Sequence, residues 1–484
     1  MEPLRSQSRP EKAQGLALDL GQSGLYQDEV LRGPGSHGRE QNKSLRKLRV
    51  VGRLIGLFLL SWALYQGLHG FYYSGRSQFP ILQPHLHEDM APLKPTPPVS
   101  GPLDKCLRKT TDLTNMYKFT INANNLRFHL GGKNLVSKFK VRFEWVNRPY
   151  MLISGWATPV EGEDEEKEAQ NRARIRNGRG SSTNTKVQGL QGRGYEDEFE
   201  DHKVEIKVKE EGDNWESSAV YKGESDDESC ASLEVELVFP ALYIFNRVHL
   251  TGNVVDIQVD RLGVLELGSF HAEIERGNFQ ALTGLHVNDF KVHIEEGSIQ
   301  VKGLAPAKAG NPIHVMASAD SGDVDMIVTT TRVPESETPQ RIHLASTDGN
   351  VHLKVRSHSD SGDKKRGWVA GKLEVIAESV KGIVKSKVKL LSDPQELSLV
   401  AHSQEQDVDV TVSKEYSGEF EVTANGEKEA EIQIPESDSK DRIRLDVDTP
   451  DVKKGTKLSP LVGKDRHGKI KLEADRGNAR LEFA

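Results

Sequence analysis

The sequence predicts a mainly β protein: a β-solenoid or β-helix-like repeat domain behind a single N-terminal transmembrane helix, with an antiparallel β-sandwich as the competing architecture. Three observations carry this reading. From about Lys118 apolar and polar residues alternate with period two, as in Lys138-Phe139-Lys140-Val141-Arg142-Phe143, the pattern of a strand with one buried face. From Leu250 a short unit recurs, made of glycine, a small polar or charged residue, and then alternating apolar positions. Before both, Leu54–Tyr73 forms an apolar run of about 20 residues, enough to cross a bilayer as a helix.

Composition agrees with a thin repeat. The residues AVILMFWYC make up 36% of 484 residues and mean hydropathy is −0.56, too polar for one thick core or a polytopic membrane protein. A net charge of −7 argues against nucleic acid as a partner. Two cysteines are too few for a disulfide scaffold or a Cys-rich zinc module.

In chain order, residues 1–49 read as a disordered cytosolic tail, rich in Gly, Ser and charge and without apolar periodicity. The formal G-x-G-x-x-G at Gly33–Gly38 has no strand before it and no helix after it, so it fails as a dinucleotide site. Residues 50–73 are the transmembrane signal anchor. Arg39, Lys43, Arg46, Lys47, Arg49 and Arg53 precede its apolar span, which starts at Leu54, and only Arg76 follows closely, which places the N-terminus in the cytosol and the C-terminal domain outside the cell or in a lumen, a type II topology. Residues 74–104 form a proline-rich stalk. His85, His87 and Glu88 within it lie on a flexible linker that cannot preorganise metal ligands. Residues 105–235 are a β-strand region interrupted by a disordered acidic insertion at 160–202. Residues 236–360 are the Gly-turn β-repeat, and 361–484 a charged β-strand continuation.

The repeat units start at Gly252, Gly268, Gly277, Gly297, Gly322 and Gly349, with looser copies at Gly418, Gly468 and Gly477. Glycine followed by Asn, Ser or Asp permits a tight turn, and the apolar residue after it opens a strand. Phe270–Phe279 and Phe290–Ile299 align twenty residues apart, a repeat with one turn of the stack per period.

The run from Leu237-Val238-Phe239-Pro240 through Ile257-Gln258-Val259, Gly268-Ser269-Phe270 and Gly277-Asn278-Phe279 to Gly297-Ser298-Ile299-Gln300-Val301-Lys302-Gly303-Leu304 resembles the putative-adhesin β-strand-repeat domain, a family of unknown function. The resemblance covers roughly residues 230–360. Fungal-type single-pass membrane proteins with a proline-rich stalk have a similar layout. The resemblance implies a surface-displayed β domain with a binding or adhesive role, and it brings no catalytic residues.

The chemistry that the residues themselves offer is sparse. The D-x-D strings Asp323/Asp325, Asp407/Asp409 and Asp446/Asp448 lie in period-two text, where carboxylates at i and i+2 share the solvated face of a strand. A carbohydrate-active enzyme on a β-helix would need paired carboxylates, from Asp320, Asp323 and Asp325 or from Glu273, Glu275, Glu295 and Glu296, and nothing selects one pair. His271, His286, His293 and His314 have no metal-site spacing. Trp145, Trp156, Trp215 and Trp368 suit either sugar stacking or the core. Cys106 and Cys230 both fall on the oxidising side, either bridged or free.

The expectation is therefore a non-catalytic binding or adhesion protein with no catalytic, metal or cofactor site. Its partners are the membrane, through one spanning helix, and a polysaccharide or surface protein, with no nucleic acid. A carbohydrate-active enzyme and a lipid-handling β domain near the membrane are the alternatives.

Overall fold

The computed structural model describes residues 116–484 except 133, 145–148, 158–194, 200–203, 223–230, 241–243, 261–265, 283, 309, 335–338, 358–367, 370, 391–394, 426–427, 435–441 and 459–467. The tail, the anchor at 50–73, the stalk, Cys106, Cys230 and most of the acidic insertion lie outside the described residues; the expectation of disorder across 160–202 is corrected at Tyr195–Phe199, which forms a strand paired antiparallel with Val204–Val208. Among the described residues no helix is long and apolar enough to cross a membrane, and the structure is mainly β.

The first strands are β1 (Met116–Thr120), β2 (Asn125–Gly131), β3 (Leu135–Glu144), β4 (Tyr150–Ala157), β5 (Tyr195–Phe199), β6 (Val204–Glu211), β7 (Asn214–Tyr221) and β8 (Ala231–Pro240). They include two antiparallel sets, β1 with β4 with β8, and β5 with β6 with β7. From β2 and β3 onward the pairing becomes parallel: β2 lies between β7 and β9 (Ile244–Val259), and β3 between β8 and the second half of β9.

After β9 the chain repeats one operation. β10 (Glu266–Arg276) and β11 (Phe279–Ala281), β12 (Leu285–Glu296) and β13 (Ile299–Ala305), and β14 (His314–Ser321) and β15 (Val324–Thr330) are consecutive pairs. The two-residue bridge β16 (Val333–Pro334) follows, then β17 (Gln340–Ser346) and β18 (Val351–Ser357). β19 (Trp368–Val369) pairs antiparallel with β16, and next come β20 (Lys372–Ser379) and β21 (Val384–Lys389), then β22 (Glu396–Ser403) and β23 (Val408–Val412). The first strand of each pair lies parallel to the first strand of the next, and the second to the second. Two parallel ladders result, called A and B here, and the pairing crosses residue 360 without a break.

The end of the chain departs from this order. β24 (Gly418–Ala424) and β25 (Ala430–Gln433) are followed by the antiparallel hairpin β26 (Ile443–Asp448) and β27 (Val452–Lys457), and β27 covers β24. The last strands, β28 (Gly468–Ala474) and β29 (Ala479–Phe483), insert behind them: β28 lies between β22 and β24, and β29 between β23 and β25.

Period-two alternation explains the core. Phe270, Ala272 and Ile274 point inward from β10 and stack in register on Phe290, Val292 and Ile294 of β12. Phe270 and Phe290 stack at 6.0 Å, and Phe279 meets both edge-on at 5.5 Å. At the C-terminal end, the amine of buried Lys457 donates to the carbonyl of Lys414 and sits over the ring of Phe483.

Candidate binding face

Glycine builds the turns that join A to B strands from β10–β11 through β20–β21, whereas the β22–β23 turn at 404–407 has none. Gly277, Gly297 and Gly322 have φ of 137°, 144° and 142°, where a side chain is strained. Gly349 holds the same place one unit further on, and a Cβ there would lie 2.0 Å from the carbonyl oxygen of Gly322. Gly252 and Gly268 lie inside strands: Gly252 opposes Ile274 within β9, and Gly268 sits within β10 against the Asn246 carbonyl.

The residue after each glycine extends the stack. Asn278 donates through its backbone and side-chain nitrogens to Asp256 at 2.9 and 3.1 Å, and its own amide oxygen accepts from Ser298 N at 3.1 Å. Asn350 does the same between Asp323 and Ile383, and Asn478 between Asp407 and Glu429. On the inner side, Ser346, Ser379 and Ser403 donate to the carbonyls of Gly322, Gly349 and Gly382. Asp323 is thereby a structural acceptor, which takes it out of the set of carboxylates available for chemistry.

With the interior filled by apolar columns, function falls to the outward residues. On ladder A, six neighbouring strands each place one histidine outward: His129 on β2, His249 on β9, His271 on β10, His293 on β12, His314 on β14 and His343 on β17. Among them stand Arg127, Arg247, Lys291 and Arg341, with Glu273 and Asp289. Arg127 pairs with Glu216 at 3.4 Å and Arg341 with Glu374 at 2.8 Å. The central outward column continues as Met316, His343, Ile376 and Val400, and Met316 is 49% exposed.

Most of these rings have specific partners. His129 shares a hydrogen bond with the Thr251 hydroxyl at 3.0 Å, and His293 with that of Ser318 at 2.9 Å. Nδ1 of His271 lies 3.2 Å from Nη2 of Arg247, and its Nε2 lies 2.9 Å from Oδ2 of Asp289. A guanidinium only donates and a carboxylate only accepts, so the neutral ring carries its proton on Nε2 and accepts at Nδ1. Burial holds His249 below the usual histidine range; Glu273 opposes that shift, and Arg247, His271 and Arg127 add to it.

Ladder B presents a second outward column, Gln280, Gln300, Asp325, His352, Lys385 and Asp409. Gln280 donates to Gln300 at 3.1 Å. Asp325 is only 3% exposed, and burial pushes its carboxyl up to about 6, against the lowering effects of Lys302 and Gln300. The expectation of a solvated D-x-D face is corrected here, because this part of β15 is covered on its outer side as well: the neighbouring outward residue Ile327 is 4% exposed. Further along, a cleft of about 410 Å³ is lined by Lys385, Asp407, Asp409, Glu429, Glu431 and Arg480 among others. Arg480 donates to Gln433, and Asp407 is held by Asn478.

Glu273, Glu275, Glu295 and Asp320 are exposed, and Glu296 pairs with Arg276 at 2.7 Å. No group of three or more His, Cys, Asp or Glu side chains among the described residues is placed to hold a metal ion. Trp215 is core, 1% exposed and 5.4 Å from the ring of Phe128. No single histidine's neighbours in the sequence mark this outward set, which spans three register columns. The signal was the step itself, 22 residues from His249 to His271 and 22 again to His293, close to the period of the stack.

No family model matches the chain, and no curated protein matches it. A crystal structure from Clostridium sporogenes, described as a "putative cell adhesion protein", aligns over 76% of this chain and 99% of its own at 8% identity, with a TM-score of 0.16. At that score the likeness carries no argument about this chain.

Proposed function

We propose that this chain is a non-catalytic binding or adhesion protein whose two ladders are the faces of one β-solenoid. Parallel pairing between every second strand supports a solenoid over an antiparallel sandwich, because each unit then adds one strand to each face. The adhesin-like resemblance of residues 230–360 is consistent with this reading.

The observation that carries the binding role is the outward face of ladder A. Six neighbouring strands, about 4.8 Å apart, present imidazoles, guanidiniums, carboxylates and hydroxyls in three register columns, with the histidines distributed over all three. A regular polar lattice of this kind suits a linear partner with repeating hydrogen-bonding groups, and a polysaccharide is the favoured class, ahead of a surface protein. The apolar run at 50–73 would anchor the domain in a type II orientation, with the ladders on the extracytoplasmic side.

The test is a binding screen with the full-length protein in detergent micelles against immobilised polysaccharides and surface-protein extracts. Saturable binding that Arg127→Ala and Arg341→Ala weaken is the expected result. Turnover of a polysaccharide without such binding would favour the enzyme, with Asp325 as the first acid to replace. Binding only to lipid vesicles would favour the lipid-handling alternative.

A further inference from the structure

We infer that β18 and β21, on the outward face of ladder B, form a binding site for a linear, densely sulfated polysaccharide. This goes beyond the role proposed for ladder A and does not depend on it.

The site is a strip of like charge set by register. Alternation buries every second side chain of both strands, beginning at Val351 and Val384, and turns the residues between them outward. Parallel pairing then sets His352 against Lys385, Lys354 against Lys387 and Arg356 against Lys389. Neighbouring positions lie about 4.8 Å apart across the strands and about 6.6 Å apart along them. Five cations of these six residues are thus collected in one place on a chain whose net charge is −7. Burial and the Lys385 charge hold His352 below the usual histidine range, against the opposing effect of Asp323, so at neutral pH it offers a hydrogen bond instead of a sixth charge.

Other opposed charges on the ladders differ in sign. Arg127 meets Glu216 at 3.4 Å, Arg276 meets Glu296 at 2.7 Å and Arg341 meets Glu374 at 2.8 Å, each with its register partner. In the strip, Arg356, Lys385, Lys387 and Lys389 make no ion pair with any described residue. Like charges directly opposite one another destabilise a sheet. The strip therefore costs the fold stability, and an anion laid over it relieves that cost.

Its borders fix the shape of the ligand. On one side lies β15, where Asp325 and Ile327, opposite His352 and Lys354, are already covered on their outer sides. On the other side the sign of the charge reverses at the cleft where Asp407, Asp409, Glu429 and Glu431 stand beyond Lys385. An anionic membrane or a DNA duplex is wider than two strands, so it would lie over those carboxylates and be repelled. A single polymer chain running along β18 and β21 avoids them.

The cations select the anionic group. Four of the five are lysines, whose ammonium is a compact point charge without the planar fork by which arginine grips a carboxylate. A polymer with one carboxylate per sugar brings a single row of charge to a strip two residues wide. Several sulfates per sugar match both rows.

The experiment measures binding of the full-length protein, held in nanodiscs of neutral lipid, to dextran sulfate, unsulfated dextran, polygalacturonate, phosphatidylserine vesicles and duplex DNA over a range of salt. Dextran sulfate should bind tightest. Lys385→Gln, Lys387→Gln and Lys389→Gln should each weaken it about three- to fivefold and reduce the slope of log Kd against log salt by about one. Their denaturation midpoints should hold or rise, because an opposition of like charges is removed, so lost binding is not lost folding. Asp409→Asn, which neutralises the border beside Lys385, should tighten binding. Arg127→Ala and Arg341→Ala on ladder A should leave it unchanged.

Wild-type affinity for dextran sulfate with all three lysines replaced overturns the inference, as does a loss caused by the ladder A variants in their place. Equal or tighter binding of dextran, polygalacturonate, vesicles or DNA overturns the choice of ligand and so the inference. Binding of none of these probes overturns it too, while any polysaccharide binding that Arg127→Ala and Arg341→Ala weaken leaves the ladder A reading standing.

Discussion

A Cβ placed on Gly322 would lie 2.0 Å from the carbonyl oxygen of Gly297, and one on Gly297 would lie 1.7 Å from that of Gly277. Each glycine is thus fixed by the one before it, and the units stack closely because no side chain stands between successive turns. Gly322→Ala combines this backbone clash with a φ of 142°. It should destabilise by about 3 kcal/mol or more, seen as a lower denaturation midpoint. Gly284→Ala is the control: its nearest neighbour would be 3.9 Å away, and the midpoint should move little.

Asn350 links three units. Its side chain donates to Asp323 at 3.1 Å and accepts from the backbone nitrogen of Ile383 at 2.9 Å. Asn350→Ala leaves that part-buried nitrogen without its partner and should cost about 1 kcal/mol in chemical denaturation. Asn350→Asp keeps the acceptor but sets a second carboxylate against Asp323. It should be worse than Ala at neutral pH and recover as the solution is acidified.

Asp325 gives a pH dependence whose sign can be worked out. Its carboxyl is raised from 3.8 to about 6 by burial, so between those values the folded chain holds a proton that the unfolded chain has released. This contribution to stability is full below 3.8 and is lost as pH rises through 6. Asp325→Asn removes the cost of the buried charge and should stabilise the protein above that pH by on the order of 1–3 kcal/mol. Denaturation midpoints should converge in wild type and variant as pH falls, and a constant difference across the range would show that the charge is not the cause.

Much of this fold is legible in single residues. Alternation marks the strands from Lys118 onward, and the Phe270 and Phe290 units, twenty residues apart in the sequence, are in register in the structure. The glycine units at 277, 297 and 322 mark the turns because a positive φ leaves a residue-type signature. Other features depend on contacts between distant parts of the chain, and no local pattern encodes them. Period-two text puts Asp325 outward but cannot say that its outer side is covered. The pairing of His271 with Arg247 and Asp289 depends on which residues share a register between neighbouring strands. For the same reason nothing in the spacing of Gly418, Gly468 and Gly477 showed that the final unit would lie inside the stack.

That final unit supports the last prediction. Ile470, Leu472 and Ala474 of β28, with Ala479, Leu481 and Phe483 of β29, are fully buried between β22 and β23 on one side and β24 and β25 on the other. If residues 468–484 are deleted, β24 and β25 lose their parallel partners and an apolar slot opens behind them. Because each unit in such a stack is stabilised by its neighbours, the loss should be local. Residues 418–457 should become labile to protease and exchange amide hydrogens quickly, while β9 to β18 keep their protection. Phe483→Ala should do the same in milder form, costing about 3–5 kcal/mol. A synthetic peptide spanning 466–484, added to the truncated chain, should restore protection over 418–457, since the slot recognises it by strand pairing and apolar fit. Full protection of that region in the truncated chain without peptide would mean that the final unit is not what holds the preceding strands in place.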